Sequence, residues 1–153
     1  MNRLFKISAV FALGVLIFSC KKNTNNQNVQ SNCTVSKAIS VPVNFSVLSG
    51  SGQFFPLTSP GGYIYVNNVG ISGVIIYRKS ASEFMAFERS CTKDGCDNAK
   101  SKVWFQSSLG ALKDSICGSA FSYFDGGVQT GPAVISLYQY HTNWDGNSLH
   151  VYN

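Results

Sequence analysis

Charge is scarce in this 153-residue chain: 12 Lys and Arg against 7 Asp and Glu, together 12% of residues. So few acids leave little for paired-carboxylate acid/base chemistry. No close acidic pair occurs beyond Asp94 and Asp97, which read as turn residues. No basic cluster interleaved with aromatics occurs, so nucleic acid is not an expected partner. Histidine is limited to His141 and His150, both near the C-terminus. They could meet across a terminal hairpin, but exposed strand positions account for them, and no metal site is assigned there. No nucleophile elbow with Ser-His-Asp order is present. There is no Cys-x-x-Cys pair, which weakens a thioredoxin-like redox reading. These absences together argue against an enzyme. No long stretch has helical apolar spacing, which argues against a helical domain.

Aromatics are plentiful at 13%, and glycine numbers 14. Short apolar runs separated by turn residues favour an all-β domain. Strands are expected over 38–47, 63–66, 73–78, 83–89, 102–106, 121–124, 134–142 and 148–152. Pro42 argues that the first lies at a sheet edge. The run 83–89 places Phe84 and Ala86 on one face and Met85 and Phe87 on the other, as in a strand covered on both sides. Asp125-Gly126-Gly127 and Asp145-Gly146 suit tight turns, and the former needs no phosphate to explain it. Tyr138, Tyr140, Trp144 and Tyr152 could form a ligand face, though core or cross-strand packing is the simpler account.

The N-terminus has a different character. Arg3 and Lys6 precede an apolar run from Ile7 to Phe18, too short for a membrane-spanning helix of ~20 residues. Residues 1–19 therefore read as a secretory signal. Ile17-Phe18-Ser19-Cys20 resembles a bacterial lipobox, which implies lipidation at Cys20. Residues 20–37 form the lipidated Cys and a polar tether rich in Asn, Gln, Ser and Thr, a composition expected to be disordered. Its reach is roughly 20 Å. Loss of Arg3 and Lys6 takes the formal charge from +5 to +3. The expected location is the cell envelope, anchored to the membrane by lipid. Lys21-Lys22 after the Cys, in place of acidic residues, favours the periplasmic side. The folded domain is 38–153.

With Cys20 assigned to lipid, Cys33, Cys91, Cys96 and Cys117 remain, and an exported chain favours disulfides among them. Their connectivity is open from sequence. Cys91-Thr-Lys93-Asp-Gly-Cys96 and Asp114-Ser-Ile-Cys117-Gly-Ser119-Ala-Phe121, followed by Gly131-Pro132-Ala133, resemble the paired loops of Rieske iron–sulfur proteins. The resemblance spans roughly Tyr63 to Asn153. It implies a Rieske-like antiparallel β-sandwich of short strands. It also implies that Cys91, Lys93, Asp114 and Cys117 occupy the four cluster-ligand positions, where the family has two Cys and two His.

Only Cys91 keeps the family residue. An ammonium does not ligate iron while protonated, and a carboxylate is a hard ligand poorly matched to a cluster. The implied disulfide is also broken, because Cys96 would face Ile116. The expectation is therefore a domain without a [2Fe–2S] cluster, serving as a binding or structural module for an unidentified protein or small molecule. The vacated space would be closed by a Lys93–Asp114 ion pair and a Cys91–Cys117 disulfide. Cys96–Cys117 is the alternative bridge, and Cys33 would pair with the remaining thiol or stay free. The competing expectation is an electron-transfer protein holding [2Fe–2S] through Cys91, Cys96, Asp114 and Cys117. A weaker third is a thiol–disulfide carrier using the loop cysteines.

Overall fold

A computed structural model describes residues 35, 37–48, 50–95 and 98–153. The expected signal and lipobox residues, most of the expected tether, Cys20, Cys33 and Cys96 lie outside that set. Among the described residues the fold is all-β. Strands β1 (Asn44–Leu48), β2 (Tyr63–Val66), β3 (Val74–Arg78), β4 (Phe84–Glu88), β9 (Gln139–Trp144) and β10 (Ser148–Tyr152) form a six-stranded sheet ordered β1-β10-β9-β4-β3-β2. Strands β5 (Val103–Gln106), β6 (Ala111–Asp114), β7 (Ala120–Phe121) and β8 (Val128–Thr130) form a four-stranded sheet in chain order. Every pairing is antiparallel.

The alternation in 83–89 behaves as expected. Phe84 and Ala86 join one buried cluster with Val74, Ile76, Tyr140, Leu149 and Val151. Phe87 joins the other with Ile75, Val103, Leu112 and Phe121, and Met85 packs against it. That second cluster draws on both sheets and lies between them. Each large side chain buried there contributes roughly 1.5–3 kcal/mol. The small sheet, which carries the second loop, is thereby seated on the large one.

Several local expectations are corrected. The strand expected from residue 38 begins only at Asn44, because Lys37–Ser40 form a helical turn. The terminal Asn153 holds that turn: its Nδ2 donates to the Ala38 and Val41 carbonyls, and its Oδ1 accepts from Val43 N. Gly52–Thr58 form a 3-10 helix. Strand β7 stops at Phe121, leaving Tyr123 and Phe124 in the turn before Gly126. The strand expected from Val134 starts at Gln139. β6 and β8 lie outside the expected strands. Pro42 does precede an edge strand, β1.

Candidate functional site

The end of β4 runs straight into the first loop. Beyond Glu88 the chain still pairs: Val103 N donates to Arg89 O, Ser90 bridges Lys102, and Cys91 N donates to Ser101 O. This seam joins the two sheets and buries Cys91 completely. The first loop then turns tightly, with Gly95 N donating to Cys91 O at 2.8 Å. A Cβ at Gly95 would lie 2.0 Å from Ser90 Oγ and 2.5 Å from Cys91 O, so only glycine fits there.

The second loop is the turn between β6 and β7. Asp114 N donates to Ser119 O, and Gly118, at φ +79°, donates to Asp114 O. The segment around Pro132 braces both loops. Ala133 N donates to Ser119 Oγ at 2.8 Å, and Thr92 Oγ1 donates to Ile135 O at 2.6 Å.

The loops bring three of the four expected positions together. Cys91 Sγ and Cys117 Sγ are 3.3 Å apart. One ligand atom each from Cys91, Asp114 and Cys117 falls within 4.8 Å of the others. Asp114 is fully buried. Its Oδ2 accepts from Ser101 Oγ and its Oδ1 from Ile116 N. Cys117 Sγ donates to Ser119 Oγ at 3.1 Å. Burial raises the Cys91 pKa far above that of an ordinary thiol, the Lys93 backbone N–H opposes the rise, and contacts with Cys117 and Asp114 add to it. Cys91 is therefore held as a neutral thiol when reduced.

Lys93 does not join them. Its Nζ donates to neighbouring Asp94 at 3.1 Å, so the expected Lys93–Asp114 ion pair is not formed. The reason is desolvation: reaching Asp114 would bury an ammonium, whereas Asp94 offers a partly exposed carboxylate one residue away. A buried serine, Ser101, takes the role instead. Nothing local in the sequence marks Ser101, because its partner lies 13 residues on.

The residues present do not fit a Rieske cluster. That cluster takes two thiolates and two imidazoles. Both histidines lie on the β9–β10 hairpin, each ring against Tyr152, and His150 Nε2 hydrogen-bonds Asn44 Oδ1. They do not converge on a shared site. The aromatic set divides in the same prosaic way. Tyr138, Tyr140 and Trp144 pack on the large-sheet core, and Tyr152 stays with the histidines.

A second polar centre lies beneath the first loop and was not anticipated. Glu88 and Arg89 are both fully buried. Glu88 Oε2 accepts from Ile71 N and Tyr140 OH, and Oε1 from Ser72 N and Ser90 N. Arg89 packs on both the Tyr65 and Trp104 rings, 4.3 and 4.0 Å from their centroids, and those rings meet edge to face. The only available signal was two adjacent opposite charges ending an apolar strand.

No family model matches the chain, and no curated protein does. Among solved structures it is similar to the plasma membrane Rieske protein PetC3 of the cyanobacterium Synechocystis PCC 6803: 27% identity, 52% of this chain and 76% of that one, TM-score 0.44. It is also similar to the ferredoxin of carbazole 1,9a-dioxygenase from Nocardioides aromaticivorans IC177, with 16% identity over 72% of this chain and 96% of that one, TM-score 0.45. A ferredoxin in complex with the oxygenase of carbazole 1,9a-dioxygenase gives 19% identity, 72% and 93% coverage and a TM-score of 0.47. These overlaps are partial, and the loop pair stands on its own geometry. Among the described residues the domain is all-β, and the two loops whose spacing resembles that of Rieske proteins meet at Cys91 and Cys117.

Proposed function

We propose that this chain is a cell-envelope lipoprotein whose Rieske-like domain has given up its [2Fe–2S] cluster and serves as a non-catalytic binding or structural module. The observation that carries this reading is the contact of Cys91 Sγ with Cys117 Sγ at 3.3 Å, in the place where a cluster would have to stand. In an oxidising compartment the two thiols form a disulfide. Each gives up a proton and an electron to an acceptor disulfide, which leaves as a dithiol. The bridge ties the loops across 26 residues and contributes about 3–4 kcal/mol.

Support for a binding role comes from the rim. Ile116 and Val134 expose apolar side chains beside the loops, at 52% and 69%. An open groove lined by Trp104, Leu109 and Lys113 adjoins Ser115 and Gly118. Among the described residues no helix is long and apolar enough to cross a membrane; attachment through Cys20 rests on the lipobox-like Ile17-Phe18-Ser19-Cys20.

A second reading draws on the same three donors. Cys91, Asp114 and Cys117 converge closely enough to share a metal, and with Cys96 they would make the four non-standard ligands of an electron-transfer cluster.

The test is to purify the full chain from membranes without reductant and assay iron and free thiols on one sample. The expected result is no iron, and a non-reduced peptide digest linking Cys91 to Cys117. Two irons per chain with a visible absorption band would replace the first reading by the second. Release of the protein from the membrane by Cys20→Ala checks the anchor.

A further inference from the structure

Lys93 and the Asp114 carboxylate rule the loop pair out as a Rieske cluster site, yet three of the four positions still converge. One ligand atom each from Cys91, Cys117 and Asp114 falls within 4.8 Å of the others. A single zinc ion makes different demands. It is borderline-soft and takes thiolate and carboxylate in one tetrahedral shell, at about 2.3 Å from sulfur and about 2.0–2.2 Å from oxygen. The carboxylate that counts against a cluster therefore counts for zinc. Tetrahedral zinc sets its two sulfurs about 3.8 Å apart. Cys91 Sγ and Cys117 Sγ, 3.3 Å apart, need open by only about 0.5 Å to reach that spacing.

The three donors are also held and reached as ligands are. Asp114 is fully buried and fixed from behind, by Ser101 Oγ on its Oδ2 and Ile116 N on its Oδ1. Those bonds use about half of the roughly four acceptor positions of a carboxylate, and bonds of this kind orient a ligating carboxylate. Cys117 Sγ accepts from Ser119 N at 3.4 Å, a bond that favours the thiolate a metal needs. Cys91 forms the buried floor, whereas Cys117 is partly exposed. A Cβ on Gly118 would meet nothing within 4 Å. An ion can enter beside Cys117, and water can complete the shell there.

We infer that the reduced loops bind one zinc ion through Cys91, Cys117 and Asp114, with water in the fourth position. The inference rests on the clusterless reading and goes beyond it in assigning a ligand to the loop donors. Uptake releases one proton from each thiol. The two sulfurs cannot hold the ion and be bridged to each other, so the disulfide excludes the metal and its reduction admits it.

The test uses the full chain, reduced with a phosphine, kept from oxygen, and titrated with Co²⁺ as a spectroscopic stand-in and then with Zn²⁺. The expected result is one Co²⁺ per chain, with sulfur-to-cobalt charge-transfer and tetrahedral visible bands that Zn²⁺ abolishes. Cys117→Ser should halve the charge-transfer band and weaken binding. Asp114→Asn should weaken Zn²⁺ at least tenfold, and Ser101→Ala about tenfold, the loss typical of an outer-shell partner. Ser101→Ala still decides if Asp114→Asn does not fold. Cys33→Ser should change nothing, and protein left bridged should bind none. No cobalt band after reduction, equal binding by the bridged protein, or an affinity unchanged by both Cys117→Ser and Ser101→Ala overturns the inference. The two readings fail separately. A Cys91–Cys117 bridge in the digest with no metal uptake on reduction sinks the zinc site and leaves the clusterless domain standing. Two irons per chain before any metal is added would remove both.

Discussion

Glu88 and Asp114 are both fully buried carboxylates, and their company differs. Glu88, at the end of β4, accepts two hydrogen bonds on each oxygen, three from backbone N–H groups and one from Tyr140. A carboxylate has about four acceptor positions, so Glu88 is saturated. It holds the 71–72 backbone against the sheet and has no capacity for anything else. Asp114 receives one full donor on each oxygen, from Ser101 and Ile116, and otherwise faces the two loop thiols. The saturated group is a structural pin. The less saturated one sits where the loop donors Cys91 and Cys117 converge.

The comparison can be broken most forcefully at Glu88. Glu88→Ala orphans four donors and should cost about 3–5 kcal/mol, the range for removing one partner of a buried charged network. Urea unfolding reads this directly. Tyr140→Phe removes one donor of the four and should cost about 1–2 kcal/mol. A Glu88→Ala loss below that of Tyr140→Phe would mean that Glu88 is not the pin described.

Next in size is the sulfur pair. Cys117→Ser should cost about 3–4 kcal/mol against the oxidised protein and far less when both proteins are unfolded in reductant. An equal loss in both conditions would show that the loops are held by packing and not by a bridge. Alkylation of the reduced protein sharpens the same point. Cys117, partly exposed, should react first, and Cys91 only on unfolding, because burial keeps it a neutral thiol.

Asp114→Ala should come third, at about 2–3 kcal/mol, since it strands the Ser101 hydroxyl and the Ile116 N–H. Asp114→Asn should recover part of that loss by keeping an acceptor. If Lys93→Met proved as costly as Asp114→Ala, the ion pair excluded by the geometry would have to be restored.

The smallest effect lies in the turns outside both centres. Asp125 and Asp145 accept backbone N–H bonds in their own turns, chiefly from Gly127 and from Ser148, and these hold both carboxyls below the ordinary value of 3.8. A carboxyl lowered by folding contributes stability that is present above its unfolded pKa and lost as pH falls through its folded one. The contribution should therefore fade only below about pH 4. An Asp125→Asn, Asp145→Asn double variant, followed by acid unfolding, should show a shallower loss across that window.

Much of the frame was readable because its causes are local. Alternation at Phe84–Phe87, Pro42 before an edge strand, and the Asp145–Gly146 turn each depend on neighbours in sequence. The loop spacing around Cys91 and Cys117 was readable for the same reason. Strands β6 and β8 of the small sheet were not, because they are fixed by their pairing with β5 and β7. The helical turn at 37–40 escaped too, since Asn153, at the far end of the chain, supplies its hydrogen bonds.

By itself, then, the sequence determined an all-β domain carrying two Rieske-spaced loops from which the histidines are missing, because hydrophobic period, turn chemistry and residue identity are local properties. Only the tertiary structure decided how the polar groups were paired. Lys93 turns to Asp94, Asp114 takes Ser101, and Arg89 keeps one buried nitrogen without a hydrogen-bond partner. Those outcomes depend on which ionic groups lose water when the sheets close, and desolvation belongs to the assembled fold rather than to any stretch of chain.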